Sequence, residues 1–463
     1  MAIYYYKVGG SNANGGTNAT TDAWETPAYG MATISGGDTL RGGAGTYILN
    51  RTTYTDIANG TAGNPTIVEN IAGEAVVWQW SGTVAGIITF SNPSHTYQYI
   101  TFQADAVGNF ILDAEDQGTC QSVIIMGQGS GPGPNNHLEF INVTVQNSTS
   151  SGVQTSKTQY CLMEGCLVQG NGTTLFDHGV YAGWSYSTMR GCTLYNNSGW
   201  GIHAFSSQVM TSLIFEGNRS YNNGTSGSGA GMIIFSDLPV TDVLVQNNLF
   251  YGNPTAGISA QRGTGIKLYH NTIDNNGGWG IDAGQYGTSG IECKNNLVTR
   301  NTSGSIKLWA GATGAICTWN RISSASITNA ASGTTVTNNS FNAVIADEVV
   351  DTTTGDYHLK AGATSIGATT TNEVPSVGPT EDFYGAARVQ GLFTDQGAAE
   401  YADAPPDAPS IGHSSPYVVT AGLYNSTLVT LSDNDSDTTS VSFVGTNVST
   451  KITPTANVTV TSP

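Results

Sequence analysis

The chain is 463 residues long, and only 10% of them are charged while 59 are Gly; a length of that order accommodates one large domain with a small one, and the Gly, Asn, Thr and Ser content favours turn-rich β structure over helices. Acidic residues outnumber basic ones 33 to 15, a formal charge of −18. Such a field repels nucleic acid and anionic membrane, so neither is expected as a partner, and it would repel an acidic polysaccharide as well unless a divalent cation bridges the two.

The N-terminus, MAIYYYKVGG, has no basic region leading into an apolar stretch, and no run in the chain is long enough to span a membrane. An extracellular or virion-associated protein is expected, exported after removal of a signal or carried in a particle. Residues 1–95 read as an N-terminal cap with the first coils. Beyond them, from residue 96 to 401, the chain repeats itself.

The repeat is plainest where YNNSGWGIHAF at residues 195–205 returns as DNNGGWGIDAG at 274–284. A longer rule lies behind it. An Asn or Cys is followed five residues later by an Asn, then by a variable gap, then by Gly and an apolar residue. The first slot reads Asn142, Cys166, Cys192, Asn218, Asn248, Asn271, Asn296, Asn320 and Asn339; the second reads Asn147, Asn171, Asn197, Asn223, Asn253, Asn276 and Asn301. Such a period marks a solenoid, in which a turn buries its apolar face only by stacking on its neighbours. Between the slots the sequence alternates on a period of two, as in VLVQNNLF and IKLYHNTI, so each coil is built of short strands. Asn suits the corners, because it tolerates left-handed backbone and bonds locally, and stacked Asn side chains make a ladder along the axis. The expected fold is all-β: a parallel β-helix of three-strand coils with an Asn ladder and a small β-rich C-terminal appendage.

These phrases, together with GGSNANGGTNATTDAW and ISGGDTLRGGAGTY near the N-terminus and GDYHLKAGATSIGA with DFYGAARVQGLFTDQGAAEY near residue 401, resemble the β-helix proteins of the pectate-lyase-like superfamily. The last two stretches resemble the segment that closes such helices. The resemblance implies a right-handed parallel β-helix with an N-terminal cap, a polysaccharide as partner, monomer or homotrimer as assembly, and a site on the strand that follows the variable gap. It leaves chemistry open, since the superfamily holds lyases, hydrolases, epimerases, phage tailspikes and adhesins.

Equivalent positions of successive coils lie about 4.8 Å apart, so each alignment column is a physical row. The column Met163, Met189, Phe215, Val245, Leu268, Cys293, Cys317 is apolar and reads as core. Two of the six cysteines belong to it and Cys166 and Cys192 to the corners, which points to packing rather than to redox or metal chemistry. On the expected site strand one outward column reads Tyr181, His203, Ile233, Ser259, Asp282, Lys307, and the next reads Gly183, Phe205, Phe235, Gln261, Gly284, Trp309. Ionisable groups for proton transfer alternate there with rings that stack on sugars. Asp177, His178, Tyr181, Phe205, Phe235, Ser259, Gln261 and Trp309 are the candidate substrate-binding residues. A further outward column, Gln169, Tyr195, Tyr221, Tyr251, Asp274, Thr299, reads as a stiffening ladder or a sugar platform.

Asp282 and Lys307 share a column in adjacent coils, and Arg262 lies just past the strand one coil earlier. The resemblance implies cleavage of a uronate polysaccharide by β-elimination, with an Arg or a bridging Ca²⁺ neutralising the uronate carboxylate and Lys removing the adjacent proton. Lys307, Asp282, His203 and Arg262 are the catalytic candidates, and Asp282 is the one candidate metal ligand. A plain ion pair between Asp282 and Lys307 across two strands is the rival reading. Glycoside hydrolysis needs two carboxyl groups roughly 5 to 9.5 Å apart, whereas Asp177 and Asp282 stand about four coils apart, about 19 Å. A hydrolase or tailspike-type depolymerase is therefore the alternative, and a non-catalytic virion or adhesive protein the third reading. His178, His203 and Asp177 are an incomplete metal set. Residues 402–416 form a Pro-rich linker and residues 417–463 a small β-rich module, in which DNDSD at 433–437 reads as a hairpin turn rather than a Ca²⁺ loop.

Overall fold

The computed structural model describes residues 1–50, 54–81, 86–115, 120–127, 134–367, 381–388 and 394–401. The expected linker, the C-terminal module and DNDSD lie outside the described residues. Strands of two to seven residues follow one another with corners between them, and those of the coils pair in parallel with their counterparts one coil away. Among the described residues, three parallel sheets of 17, 11 and 10 strands make up a right-handed parallel β-helix. Stacking begins with Ile3–Tyr6, which pairs with Thr39–Gly42. Between them Thr26 caps a short helix, Pro27–Thr33, whose Met31 and Gly30 are buried at the first coils.

The apolar column forms the core as expected. Met163, Met189, Phe215, Val245, Leu268, Cys293 and Cys317 pair in register and are buried. All six cysteines are free and buried. Removing such a row of side chains from water is the main driving force for stacking, and it acts only once a neighbouring coil is in place.

Corners follow a two-residue rule. A residue of positive φ comes first and the ladder residue second: Asn196 (φ 55) before Asn197, Asn222 (φ 50) before Asn223, Asn247 (φ 55) before Asn248, His270 (φ 51) before Asn271. The ladder is double. One runs Asn218, Asn248, Asn271, Asn296, Asn320, Asn339, and the other Asn171, Asn197, Asn223, Asn253, Asn276, Asn301, each Nδ2 donating to the next Oδ1 at 2.9 to 3.4 Å. Asn248 also donates through Nδ2 to Phe215 O at 2.9 Å and through its backbone N–H to Asn271 Oδ1 at 3.1 Å. Asn142 and Asn147 are shifted by one place from the expected register. Both are the left-handed residue (φ 57 and 60), and Ser148 occupies the ladder position, its Oγ and N–H donating to Asn171 Oδ1 at 3.1 and 3.2 Å. Neither is followed by a second Asn; because Asn suits both the turn and the ladder place, the spacing alone does not separate the two roles.

Residues 343–367, 381–388 and 394–401 lie along the flank of the 11-stranded sheet. A hairpin of Val349–Asp351 and Asp356–Leu359, with Ile345, Tyr357, Ala398 and Ala399, packs on Leu249 and Leu297. The column Tyr195, Tyr221, Tyr251 is a stack with centroids 5.1 and 4.9 Å apart, and Tyr357 closes its end against Tyr251. Asp274, next in that column, is fully buried and takes Tyr357 Oη–H at 2.9 Å, Arg300 Nε–H at 3.0 Å and Thr299 Oγ1–H at 2.9 Å. That stack therefore serves as a docking wall for the closing segment.

Asn271→Ala should lower unfolding stability by about 2–4 kcal/mol, because it strands buried donors and acceptors in both neighbouring coils. Asn142→Gly, at a left-handed corner, should change it by less than about 1 kcal/mol. Urea titrations of the two variants distinguish the ladder position from the turn position.

Candidate functional site

The expected site lies on the 10-stranded sheet, on strands Val180–Tyr181, Ile202–Ala204, Met232–Ile234, Ile258–Ala260, Trp279–Ala283 and Gly304–Leu308. Alternation turns Ile202, Ile234, Ile258, Ile281 and Ile306 into the core. The outward column is continuous in register: Tyr181, His203, Ile233, Ser259, Asp282, Lys307. Along it the side chains gather into two clusters.

In the C-terminal cluster Asp282 accepts Trp309 Nε1–H at 2.6 Å on Oδ1 and Gln261 Nε2–H at 3.1 Å on Oδ2. Gln261 also donates to Ser259 Oγ at 2.6 Å. Lys307 Nζ lies 3.3 Å from the Trp309 ring centroid and 5.3 Å from that of Trp279. The ion pair between Asp282 and Lys307 is not formed: the Trp309 indole lies against both, donating its N–H to the carboxylate and presenting its π face to the ammonium. Two coils earlier, Arg262 lies 5.4 Å over the Phe235 ring and 3.8 Å from Asp237, and it donates to Ser236 O at 3.2 Å. Tyr286 meets the same Phe235 ring edge-on.

In the N-terminal cluster hydrogen bonds assign the histidine tautomers. Trp200 N–H donates to His178 Nδ1 at 3.3 Å, so the proton of neutral His178 sits on Nε2, which faces His203 Nδ1 at 3.0 Å. The proton of His203 therefore sits on Nε2, a buried atom without a hydrogen-bond partner. Rings of Tyr181, Trp200 and Phe205 surround the pair. His203 was expected to face outward and does so, yet these rings leave it only 7% exposed. Burial pulls His178 down to about 2, with help from the neighbouring imidazole, and His203 down to about 4, the latter offset in part by the Phe235 backbone. Both are neutral at pH 7, and His203 is an N–H donor there.

Asp177 organises its own loop. Burial raises its pKa, but donors from Thr173 N (3.0 Å), Thr174 N (2.7 Å) and Thr174 Oγ1 (2.9 Å) outweigh this and hold it below the ordinary value. The two imidazoles bond each other directly, and among the described residues no group of three or more His, Cys, Asp or Glu is placed to hold a metal. Asp282, with both oxygens engaged by an indole and an amide, does not fit a Ca²⁺ site on its own.

Sequence reasoning missed Trp200 and Trp279. In the doubled phrase GWGI they read as parts of a turn, yet Trp200 packs on His178 and His203, and Trp279 lies beside Lys307. The signal was present in the second letter of that phrase: a turn needs the glycines but has no need of a half-exposed Trp. Asp237 was missed because its loop follows no repeat.

Coils stacked in three parallel sheets, with one outward row of rings and ionisable groups, define a right-handed parallel β-helix protein of pectate-lyase-like architecture. Residues 122–286 and 178–348 match the family model described as "Right handed beta helix region". Among solved structures the chain is similar to pectate lyase Pel9A, at 17% identity and a TM-score of 0.59 over 87% of this chain and 96% of that one. It is also similar to the mannuronan C-5 epimerase AlgE4 A-module of Azotobacter vinelandii (16%, 0.46, 68% and 91%) and to a structure titled glycoside hydrolase (11%, 0.47, 74% and 97%). No curated protein matches the chain in sequence. At these identities the likeness concerns the fold alone.

The histidine pair sets a pH dependence. An unfolded histidine takes a proton near pH 6.5, whereas His178 and His203 stay neutral in the folded chain down to about 2 and about 4. Stability is thus fully present above pH 6.5 and falls on acidification, by about 1.4 kcal/mol per pH unit for each histidine. His203→Gln should remove one such increment between pH 6 and 4.5, read from urea midpoints across that range.

Proposed function

We propose that the chain is a carbohydrate-active β-helix protein that cleaves a uronate-containing polysaccharide by β-elimination on the face from Phe235 to Trp309. One observation carries this reading: the Lys307 ammonium rests on the Trp309 ring, while the adjacent carboxylate, Asp282, is held by Trp309 and Gln261. A cation on an aromatic floor, without a carboxylate bound to it among the described residues, is suited to an anionic sugar. The local cations Lys307 and Arg262 would also offset the repulsion expected from a net charge of −18.

In the proposed reaction the sugar ring stacks on the aromatic floor and its carboxylate faces Arg262, which neutralises the negative charge that develops as the adjacent carbon loses its proton. Lys307 is the residue assigned to accept that proton. The electron pair forms the ring double bond, and the glycosidic oxygen leaves from the neighbouring carbon. Asp282 positions Trp309 and, through it, Lys307. Ca²⁺ has no part in these steps.

The test is a panel of pectate, alginate, glucuronan and neutral glycans, each assayed for ultraviolet-absorbing unsaturated product and for new reducing ends, with and without chelator. Unsaturated product is expected, unaffected by chelator, with the rate lowered roughly 10²- to 10⁴-fold in Lys307→Ala. Full activity in Lys307→Ala would sink the assignment of the base. Reducing ends without ultraviolet absorbance would make the protein a hydrolase, and neither product would make it a binding or structural protein.

A further inference from the structure

On the 17-stranded sheet a different column passes through a strained corner. Tyr99, His137, Tyr160, Tyr186, Ser212, Asp242, Gly265, Gly290, Gly314 and Gly333 hold the same place in successive coils, and every one has a φ between 51 and 66. Gly adopts this geometry without steric cost, and a ring-bearing residue does not. The last four coils accordingly use Gly. The first four use rings, stacked face to face with centroids 4.4, 5.2 and 5.1 Å apart and interplanar angles of 15 to 16°.

The stack stops abruptly. Tyr160 covers one face of Tyr186, but the next coil places only Ser212 against the other, and Tyr186 remains 46% exposed. One coil further stands Asp242, whose carboxylate accepts Ser212 Oγ–H at 3.0 Å. Two coil repeats, about 9.6 Å, separate Tyr186 from Asp242. The place a fifth ring would fill is thus bounded by an aromatic face at one end and a carboxylate at the other, with a hydroxyl at its floor.

We infer that this slot is a glycan-binding site, separate from the outward row of the 10-stranded sheet, that takes one neutral pyranose residue. The apolar C–H face of the sugar stacks on Tyr186, where a fifth aromatic would otherwise lie. Vicinal hydroxyls at the far edge donate to Asp242 and exchange hydrogen bonds with Ser212. Charge selects the class: the slot offers a carboxylate and no cation on this column, so it repels a uronate and admits a neutral sugar. The two surfaces would therefore hold different parts of a mixed polysaccharide, an acidic one at Lys307 and a neutral one at Tyr186.

The experiment uses immobilised cello-, manno-, xylo- and galacto-oligosaccharides, with oligogalacturonate for comparison, and the full chain as wild type, Tyr186→Gly, Asp242→Ala and Lys307→Ala. Tyr186→Gly is chosen because the corner accepts Gly in four other coils, so the variant keeps its fold. At least one neutral series should be retained by the wild type, about tenfold less by Tyr186→Gly, about threefold to tenfold less by Asp242→Ala, and equally by Lys307→Ala. Absence of neutral binding, retention unchanged in Tyr186→Gly, or a loss confined to Lys307→Ala would each overturn the proposal. Because the readout is binding of neutral sugars, these outcomes are independent of whether the Lys307 face is a lyase.

Discussion

Each coil must turn its strand and still satisfy every amide it buries. The solution is a corner of two residues, one in left-handed conformation and one whose side chain carries hydrogen bonds from coil to coil. An unpaired buried amide costs about as much as a lost hydrogen bond, so the ladder ties each coil to the exact height of its neighbours. The sheets, the core rows and the outward rows all inherit that height. A site on such a scaffold is rigid along the axis, and its chemistry is chosen one residue per coil.

This constraint explains why the doubled phrase differs where it does. Asn197 and Asn276 stand in one ladder, and Ile202 and Ile281 in one core row. His203 and Asp282 occupy one outward position at two heights. What surrounds them differs completely. His203 is closed in by rings and accepts a hydrogen bond from His178, while Asp282 is held open to the face by Trp309 and Gln261. One backbone position thus serves as a buried neutral donor in one coil and as a positioning carboxylate in another.

The exterior divides among three uses. One flank is occupied by the closing segment, held by the buried pair Arg388–Glu400 at 2.9 Å and by Asp274. Burial lifts Glu400 to about 8 although Arg388 opposes this. A second face carries the ionisable row. The third carries the aromatic corner, where four successive rings hold a left-handed place that Gly holds in later coils.

Much of this was legible in the sequence because stacking converts periodicity directly into space. The coil fold, the core row and the order of the outward columns follow from repeats of Asn, of alternation and of Gly, without any tertiary information. The ladder member of each Asn doublet was legible from the spacing, but the places of Asn142 and Asn147 were not, since Asn also suits the left-handed turn; only the pairing register sets them one residue before the ladder, where Val143 and Ser148 stand. Contacts made across the gaps were equally hidden. The indole of Trp309 lying against both Asp282 and Lys307, the bond between His178 and His203, and the closing segment folded along the flank depend on side-chain directions and on loops that obey no period. The sequence by itself determined the architecture and the rows, because a repeated physical demand leaves a repeated pattern. Only the tertiary structure decided which members of a row are exposed, paired or neutral, because those properties come from neighbours distant in the chain.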